Sequence, residues 1–524
     1  MSQKNRFLHY SKKLDSFIPW WLAAALLVLV FLRIPTFFEP YWYGDEGIYL
    51  TIGNALNSGA KLYADIVDHK TPLIYYLARV PDQFSFRILL TFWMLTTTIA
   101  FAKLSQLFFK STAARALSTG LFVLLTTLPW FEGTIPNGEL FVMGFVLVGL
   151  LMLARTHTIR QFFAHTTQAA QRTDSVRLLL GGFLFGCAIL TKVPALFDLA
   201  AVGALFLLVF LNQKKLTASG FCQIFKEGIT FLIGCIIPIL LSVGYFVAIG
   251  AGQDYLNFGL LYNFHYTGTW VLQFSNQVLA FLYTITGKAL VVLVGVVSVL
   301  ALRSQIPRAV QFLTVWTLLA LFASLLSNRP YPHYFLQVIP PLILLVCSLC
   351  EWQHYKKISE KITTVAFSTI TLVLFVGILI TLNAGLYPVI KYYQNFWQLV
   401  SQQQTATQYR DSFNYLMADN YAALTYLRGS RDKKMFIWGT NPTLYALTRK
   451  QPVGKFTVSF HIKDLELYEE TMQAVAAYKP EFIVIMHNET TPLPGLDQFI
   501  RSNYIPFEAH TNFTVWRKSL LSAL

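Results

Sequence analysis

The chain has 524 residues, of which 55% are hydrophobic and only 13% charged, and several apolar runs reach the roughly 20 residues that a membrane-spanning helix needs. This composition excludes an ordinary soluble enzyme and indicates a polytopic membrane protein. The net charge of +15 does not require a nucleic-acid partner, because the basic residues concentrate on connecting segments and no aromatic-basic module accompanies them.

The apolar runs predict a mainly α-helical fold with about eleven transmembrane helices. The first run follows a basic N-terminus but has no small-residue cleavage site, so we interpret it as an uncleaved helix. The predicted helices lie near residues 19–35, 86–108, 113–130, 139–154, 178–191, 194–211, 228–250, 277–302, 309–326, 335–350 and 362–386.

Lysine and arginine fall mostly on alternate connections between these helices. Nineteen of them lie on connections that the helix count puts on one face, and that face is cytoplasmic by the positive-inside rule. The opposite, extracytoplasmic face then receives most of the acids outside the C-terminal region. The basic connections are residues 1–18, 103–115, 155–177, 212–227, 303–308 and 351–361.

The polar stretch 42–76 lies in the first outer loop, residues 36–85, and is too polar to cross a bilayer. It begins with the adjacent acids Asp45 and Glu46, which repel each other unless they share a cation, a proton or a polar ligand. This favours a functional site. The alternative is the solvated first turn of a helix, where acids stabilise the positive end. Twenty residues later the loop adds Asp65, Asp68, His69 and Lys70.

A break interrupts the apolar run between residues 178 and 211 at Thr191-Lys192-Val193-Pro194. Proline cannot continue the helical hydrogen bonds, so we expect two short helices that meet near the outer face. Lys192 is then left at the membrane boundary. It either extends toward the lipid headgroups or contacts an anion such as a lipid phosphate.

After about residue 387 the sequence becomes an alternation of strand-like and helix-like segments. Residues 434–439, 456–460 and 481–487 read as strands, and 387–430 and 464–480 as helices. We therefore predict a soluble α/β domain over 387–524 on the extracytoplasmic face, joined to a transmembrane domain over 1–386 that includes the first outer loop.

Acidic and basic side chains converge at the outer ends of the predicted helices. A carboxylate there can take a proton from an acceptor hydroxyl, and Arg or Lys can hold a departing phosphate. Each residue also has a structural interpretation: His333 can pack against tyrosines, Glu139 can stabilise a helix N-terminus, and Asp65 can cap a turn. The candidate catalytic residues are Asp45, Glu46 and Glu139. The candidate substrate-binding residues are Asp65, His69, Lys70, Lys192, Arg329, His333 and Tyr334.

Several of these motifs together resemble polytopic C-superfamily glycosyltransferases, the group that contains protein O-mannosyltransferases and lipid A aminoarabinose transferases. The acidic pair after the first helix precedes His69-Lys70-Thr71-Pro72, which resembles the Lys-Pro-Pro-like or His-Pro-Pro-like segment of that family. The resemblance covers roughly residues 15–386. It also includes Asn137-Gly138-Glu139-Leu140-Phe141, Leu190-Thr191-Lys192-Val193-Pro194, and His333-Tyr334 leading into Pro340-Pro341.

The resemblance implies a glycosyltransferase that uses a polyprenyl- or dolichyl-phosphate-linked sugar and a lipid, glycan or protein acceptor. Asp45 would activate the acceptor, and Glu139 would shape the acceptor side. Lys70, Lys192 and Arg329 would contact the lipid phosphate. No cofactor is certain, and a divalent metal is possible because some members of the family bind one in this loop. The sequence departs from the family pattern in two places: Leu73 replaces the second proline, and His69 stands where some relatives carry Glu, which puts a metal bound through that position in doubt. The site would face outward from the cell (plasma or inner) membrane.

A transporter or lipid flippase is the alternative class, because it would also be polytopic with lysines near the membrane. Transporters tend to show paired halves and ionisable groups at mid-membrane. Here only Asp198 and Lys288 are candidates for such groups, and the second half does not repeat the first. The acids lie instead in the outer loops, which favours an enzyme. A catalytically inactive scaffold also stays open.

Overall fold

A computed structural model of the chain describes residues 18–164, 173–213, 215–268, 270 and 272–519. This part of the chain is mainly helical. The α-helices are Trp20–Arg33, Gly44–Asn57, Leu73–Leu77, Gln83–Phe108, Thr112–Thr127, Gly138–Ala154, His157–Ala164, Thr173–Thr191, Leu196–Leu211, Ala218–Ala248, Gly252–Asp254, Tyr262–Gly268, Gln277–Leu282, Ile285–Ala301, Arg308–Ser324, Ile339–Cys347, Ile358–Thr381, Val389–Val400, Ala406–Asp411, Met417–Leu427, Pro442–Thr448, Ser459–Asp464, Tyr468–Tyr478 and Leu496–Asn503. Short 3-10 helices are Ile34–Phe38, Pro129–Phe131, Val193–Ala195, Pro332–Gln337 and Ser348–His354, and Tyr255–Leu261 is a π-helix.

Among the described residues, six helices are long and apolar enough to cross a membrane, which makes the chain an integral membrane protein. A seventh span results if Gly138–Ala154 and His157–Phe163, which meet at 88°, form one broken segment. All eleven positions predicted from the sequence contain helix, but several of these helices are too short to count as spans. The number eleven is therefore not confirmed. The six spans are Trp20–Phe38, Gln83–Phe108, Asp174–Thr191, Val193–Leu211, Ala218–Ala248 and Ile358–Thr381.

The described chain divides into two compact units. We call them the helical unit, which contains residues 18–34, 89–241 and 265–389, and the α/β unit, which contains residues 35–88, 242–264 and 390–519. In the helical unit a Cβ atom at Gly182 would lie 1.9 Å from the Phe231 carbonyl oxygen. The helices that carry these two residues approach so closely only because this position is glycine.

The described part of the α/β unit contains a five-stranded mixed sheet. Its strands are β1 (Lys434–Trp438), β2 (Gln451–Pro452), β3 (Phe482–Met486), β4 (Tyr504–Ala509) and β5 (Phe513–Lys518). The spatial order is β2-β1-β3-β5-β4, in which β1 is parallel to β2 and β3, and β5 is antiparallel to β3 and β4. Met435 and Ile437 enter one hydrophobic cluster, and Phe436 and Trp438 enter the other, as the two-residue period of a strand requires.

Part of the first outer loop packs against the C-terminal residues within this same unit. Helix Gly44–Asn57 lies on helix Pro442–Thr448, and a Cβ atom at Gly47 would approach the Thr443 nitrogen to 2.9 Å. Farther along, the Val67 N–H donates to the Lys455 carbonyl at 2.8 Å. Any side chain at Gly47 would thus press on backbone, so this glycine sets the separation of the two helices.

The structure confirms two of the three predicted strands and corrects the third. The predictions for 434–439 and 481–487 correspond to β1 and β3. The prediction for 456–460 is wrong, since Phe456 forms only an isolated bridge with Val67 and the helix Ser459–Asp464 begins three residues later. The strand β4 was not predicted from the sequence, because Pro506 lies within it. A proline is tolerated there because β4 is an edge strand with a register shift beside that residue.

Candidate functional site

Asp45 occupies the first turn of helix Gly44–Asn57, where a carboxylate favours the positive helix end. Its side chain is 28% exposed, and the Lys70 Nζ lies 3.5 Å from its Oδ2. The Tyr49 hydroxyl donates to the same oxygen at 3.3 Å. Asp45 is therefore a solvent-reachable carboxylate with a nearby ammonium group, which is an arrangement able to accept a proton while compensating charge.

Glu46 turns away from its neighbour and is almost fully buried. The Arg87 guanidinium donates to both of its oxygens, at 2.9 Å from Nε and 2.7 Å from Nη2, and Gln83 Nε2 adds a third hydrogen bond at 2.9 Å. Arg87 also pairs with Glu39 at 2.9 Å. These contacts explain how two adjacent acids are tolerated: Arg87 neutralises Glu46, and Lys70 lies beside Asp45.

Lys70 is held from several sides. Its carbonyl accepts from the Tyr63 hydroxyl at 2.7 Å, and its N–H donates to the Tyr75 hydroxyl oxygen at 3.2 Å. Its Nζ lies 3.5 Å from Asp68 Oδ2, which also accepts from the Tyr75 hydroxyl at 2.6 Å. Tyr63 adopts a left-handed backbone with φ 69°, a conformation that costs energy for a non-glycine residue and is often found at functional sites. The loop therefore holds the position of the Lys70 ammonium group beside Asp45.

Beside Lys70 lies a group that we call the Asp68 cluster: Asp68, His69 and His461. Their nearest polar atoms are 3.0 to 3.3 Å apart, and all three residues are buried. Burial raises the pKa of Asp68, but Lys70, His69 and His461 outweigh it and hold that pKa well below its usual range. Burial lowers the pKa of His69, and it lowers the pKa of His461 to about 3, with Asp68 opposing both shifts. The carboxylate is thus charged and the imidazoles neutral at neutral pH, which is the state in which all three can bind a metal.

The helical unit contains a second group of predicted site residues. Lys192 forms an ion pair with Glu139, and its ammonium lies 4.3 Å from the centre of the Tyr334 ring. Since Glu139 is buried and lies in the first turn of helix Gly138–Ala154, it fixes the lysine by charge and position. The sequence break at Pro194 produces this arrangement, because the helix Thr173–Thr191 ends at the residue before Lys192.

His333 in this second group pairs with Glu132 at 2.6 Å. Asn137 Nδ2 also donates to Glu132, at 3.2 Å, and Glu132 has a left-handed backbone with φ 58°. Burial lowers the pKa of His333, but the charges of Glu132 and Glu139 and the Glu132 hydrogen bond outweigh burial and the opposing Lys192, so that the pKa is raised. The imidazole is therefore more readily protonated than a free histidine.

Arg329 and Asp65 have other contacts: aromatic rings for Arg329 and a backbone N–H for Asp65. The Arg329 guanidinium is 4.1 Å from the centre of the Tyr266 ring and 5.4 Å from that of Trp270, a cation–π arrangement within the helical unit. Asp65 is exposed and accepts a hydrogen bond from the Lys61 N–H at 2.7 Å. This contact is the turn role that the sequence left open for it.

The structure thus brings together Asp45, His69 and Lys70 in the α/β unit, and Glu139, Lys192, His333 and Tyr334 in the helical unit. His461 was not predicted as a site residue; it lies 392 residues from His69. A histidine in an unremarkable segment carries no local signal for this contact. Arg87 was not predicted either, although an arginine at the start of a predicted transmembrane helix is a signal that a buried acid lies nearby.

Comparison with solved structures finds similarity to an archaeal enzyme. Archaeal oligosaccharyltransferase AglB from Archaeoglobus fulgidus, in complex with an inhibitory peptide and a dolichol-phosphate, is 12% identical with a TM-score of 0.46, covering 99% of this chain and 75% of that chain. The Archaeoglobus fulgidus oligosaccharyltransferase in complex with Zn and sulfate is 13% identical with a TM-score of 0.43. The match covers 96% of this chain and 73% of that chain. No family model and no curated protein matches the sequence.

Both solved structures are oligosaccharyltransferases.

Proposed function

We propose that this protein is a membrane glycosyltransferase that moves a sugar from a polyprenyl- or dolichyl-phosphate donor to a hydroxyl group of a lipid, glycan or protein. The observation that carries the proposal is the partly exposed Asp45 carboxylate beside the Lys70 ammonium group, in a chain whose helices can cross a membrane. A partly exposed carboxylate next to a positioned cation is the arrangement that such a transfer needs.

In the proposed reaction Asp45 takes the proton of the acceptor hydroxyl as its oxygen attacks the anomeric carbon of the sugar. The new glycosidic C–O bond forms while the C–O bond to the phosphate breaks, and the lipid phosphate leaves with the electron pair. Lys70 lies close enough to Asp45 to favour the carboxylate before the attack and to stabilise negative charge as it develops. Because the sugar already carries a phosphate leaving group, no nucleotide is required.

The proposal assigns phosphate contacts to Lys70, Lys192 and Arg329. The Glu139 ion pair and the Tyr334 ring hold the Lys192 ammonium in place, and the rings of Tyr266 and Trp270 support the Arg329 guanidinium. Cations that are ordered before the donor arrives lose less entropy on binding it. Glu139 then acts by positioning Lys192 and shaping the acceptor side.

Glu46 has a different role in this proposal. Its two oxygens are occupied by Arg87 and Gln83, and it is 2% exposed, so it is poorly placed to exchange a proton with substrate. We infer that it fixes the start of helix Gly44–Asn57 and thereby orients Asp45. It is a positioning residue.

The proposed orientation puts residues 42–76 and the C-terminal residues on the extracytoplasmic face of the cell membrane, with eleven spans. The charge distribution supports it, since the basic connections fall on the opposite side of that count. The packing of Gly47 against Thr443 and of Val67 against Lys455 supports it too, because segments in contact share one side of the membrane. In this orientation the C-terminal domain stands outside the bilayer.

The ionisable groups within the membrane helices give the transporter alternative little support. The Asp198 carboxylate accepts from Trp316 Nε1 at 2.7 Å and from Gln337 Nε2 at 2.6 Å. Lys288 Nζ donates to the Leu325 carbonyl at 2.6 Å and to Asn328 at 2.9 Å. Both groups have protein partners that satisfy them, as structural polar residues in a membrane do.

The donor can be identified by mass spectrometry of lipids that copurify with the full chain. We expect a polyprenyl or dolichyl phosphate carrying a sugar. Alanine at Lys70, Lys192 or Arg329 should weaken binding of that donor by about tenfold to a hundredfold, the usual value of a hydrogen bond to a charged group. Lys215→Ala, an exposed lysine on a predicted cytoplasmic connection, is the matched control. Equal donor affinity in all four variants would contradict the phosphate assignment.

A further inference from the structure

Three potential metal-ligand atoms converge in the Asp68 cluster. Asp68 Oδ1 lies 3.0 Å from His69 Nδ1 and 3.3 Å from His461 Nε2, and the two nitrogens are 3.1 Å apart. Among the described residues these three form a group of buried side chains whose ligand atoms all lie within 4.8 Å of one another. The atoms thus outline a nearly equilateral triangle away from bulk water.

Hydrogen bonding alone does not satisfy all three edges of this triangle. A carboxylate oxygen only accepts, and each ring nitrogen either donates or accepts. If both nitrogens carry protons, two donors face each other across 3.1 Å. If only one nitrogen carries a proton, the lone pair of the other nitrogen faces the lone pairs of the carboxylate oxygen. A cation at the centre removes the conflict, because all three atoms then point lone pairs at one positive charge.

The edge lengths match those of a metal site. With metal–nitrogen and metal–oxygen bonds of about 2.1 Å, neighbouring ligands lie about 3.0 Å apart at right angles and about 3.4 Å apart in a tetrahedron. The observed edges of 3.0, 3.1 and 3.3 Å fall within this interval. A set of two imidazoles and one carboxylate binds first-row divalent transition metals in preference to calcium or magnesium.

Outer contacts also orient the ligands, as they do in metal sites. The second oxygen of Asp68 accepts from the Tyr75 hydroxyl at 2.6 Å and lies 3.5 Å from Lys70 Nζ, so the first oxygen is left directed at the histidines. Asn263 Nδ2 donates to the His69 carbonyl at 2.8 Å. These contacts hold the two ligands of the first outer loop in place before a metal arrives.

We propose that Asp68, His69 and His461 bind a divalent transition metal that fastens residues 68–69 to helix Ser459–Asp464. The ligands come from segments nearly 400 residues apart, so the metal joins the first outer loop to the C-terminal part of the α/β unit. Lys70 follows the second ligand directly, and the metal therefore also fixes the backbone that presents this lysine. The proposal concerns metal binding and does not depend on the transfer reaction.

Metal content is the primary test. The full chain, purified in detergent without chelators, is analysed by inductively coupled plasma mass spectrometry beside His461→Gln and His487→Gln. His487 is an exposed histidine of the same unit and serves as the matched control. We expect about one metal ion per chain in the wild type and His487→Gln, and a loss of most of it in His461→Gln, because the latter removes one of three ligands.

A second measurement keeps the proposal testable if the metal is lost during purification. Chelator-treated protein is titrated with Co²⁺, Zn²⁺ and Mn²⁺ while the visible absorption of bound Co²⁺ and the melting temperature are followed. We expect one of these ions to raise the melting temperature of the wild type and His487→Gln but not of His461→Gln or Asp68→Asn. A folded wild type that binds none of the three ions, or equal metal content in His461→Gln, would overturn the proposal in favour of a hydrogen-bonded cluster only.

Discussion

Arg87 offers the sharpest stability prediction, because its guanidinium is 1% exposed and sits between two buried carboxylates. It pairs with Glu39 and Glu46 and donates to the Thr36 carbonyl at 2.5 Å. Arg87→Met keeps a long apolar stem and removes the charge. The two carboxylates would then be left buried without their cation.

The magnitude follows from what remains around the carboxylates. Removing one partner of a buried ion pair costs about 3–5 kcal/mol. Trp42 and Tyr392 still donate to Glu39, and Gln83 still donates to Glu46, so we expect the lower end, about 3 kcal/mol. At about 2–4 °C per kcal/mol for a unit of 150–250 residues, the melting temperature should fall by about 6–12 °C.

The assay is fluorescence-detected size-exclusion chromatography of the detergent-solubilised chain after heating. Arg501→Met, at an exposed arginine of the same unit, is the control and should change little. Adding Glu39→Gln and Glu46→Gln to Arg87→Met should restore part of the loss, because neutral amides cost less to bury than unpaired carboxylates. If Arg87→Met has the same melting temperature as Arg501→Met, the ion pairs of Arg87 do not stabilise the protein as proposed.

Two further predictions concern pH and topology. The raised pKa of His333 means that its pair with Glu132 contributes stability below the ordinary histidine value of 6.5 and that this contribution is lost as pH rises through the higher folded-state pKa. The melting temperature of the wild type should therefore fall as pH rises above about 6.5, and His333→Gln should reduce this dependence. The same dependence of melting temperature on pH in both proteins would contradict the pairing. Single cysteines at the exposed positions Ser58 and Gln498 should both react with an impermeant thiol reagent in intact cells, and labelling of only one would break the proposed orientation.

The sequence predicted those features that depend on local patterns. Apolar runs located the helices, and Pro194 located the break that leaves Lys192 beside Glu139. The acidic pair and the later Lys70 indicated a site in the first outer loop, and the structure places Asp45 next to Lys70.

What could not be predicted depends on contacts between distant segments. His461 meets His69 only because the segment 456–464 folds against the first outer loop, and neither hydrophobic periodicity nor spacing encodes that approach. The same packing explains the wrong strand at 456–460. Its β-branched residues suit a strand, but only Phe456 finds a bridge partner before the helix Ser459–Asp464 begins.

Turnover of Asp45→Asn is the most direct test of the central claim that Asp45 accepts the proton of the acceptor. Asparagine keeps the shape and can still contact Lys70, but it cannot take a proton. With the copurified lipid-phosphate sugar as donor, we predict a fall in kcat of roughly a hundredfold or more while donor binding persists. Asp497→Asn, the same change at an exposed aspartate of the same unit, should leave kcat unchanged. A folded Asp45→Asn enzyme with wild-type turnover would contradict the account.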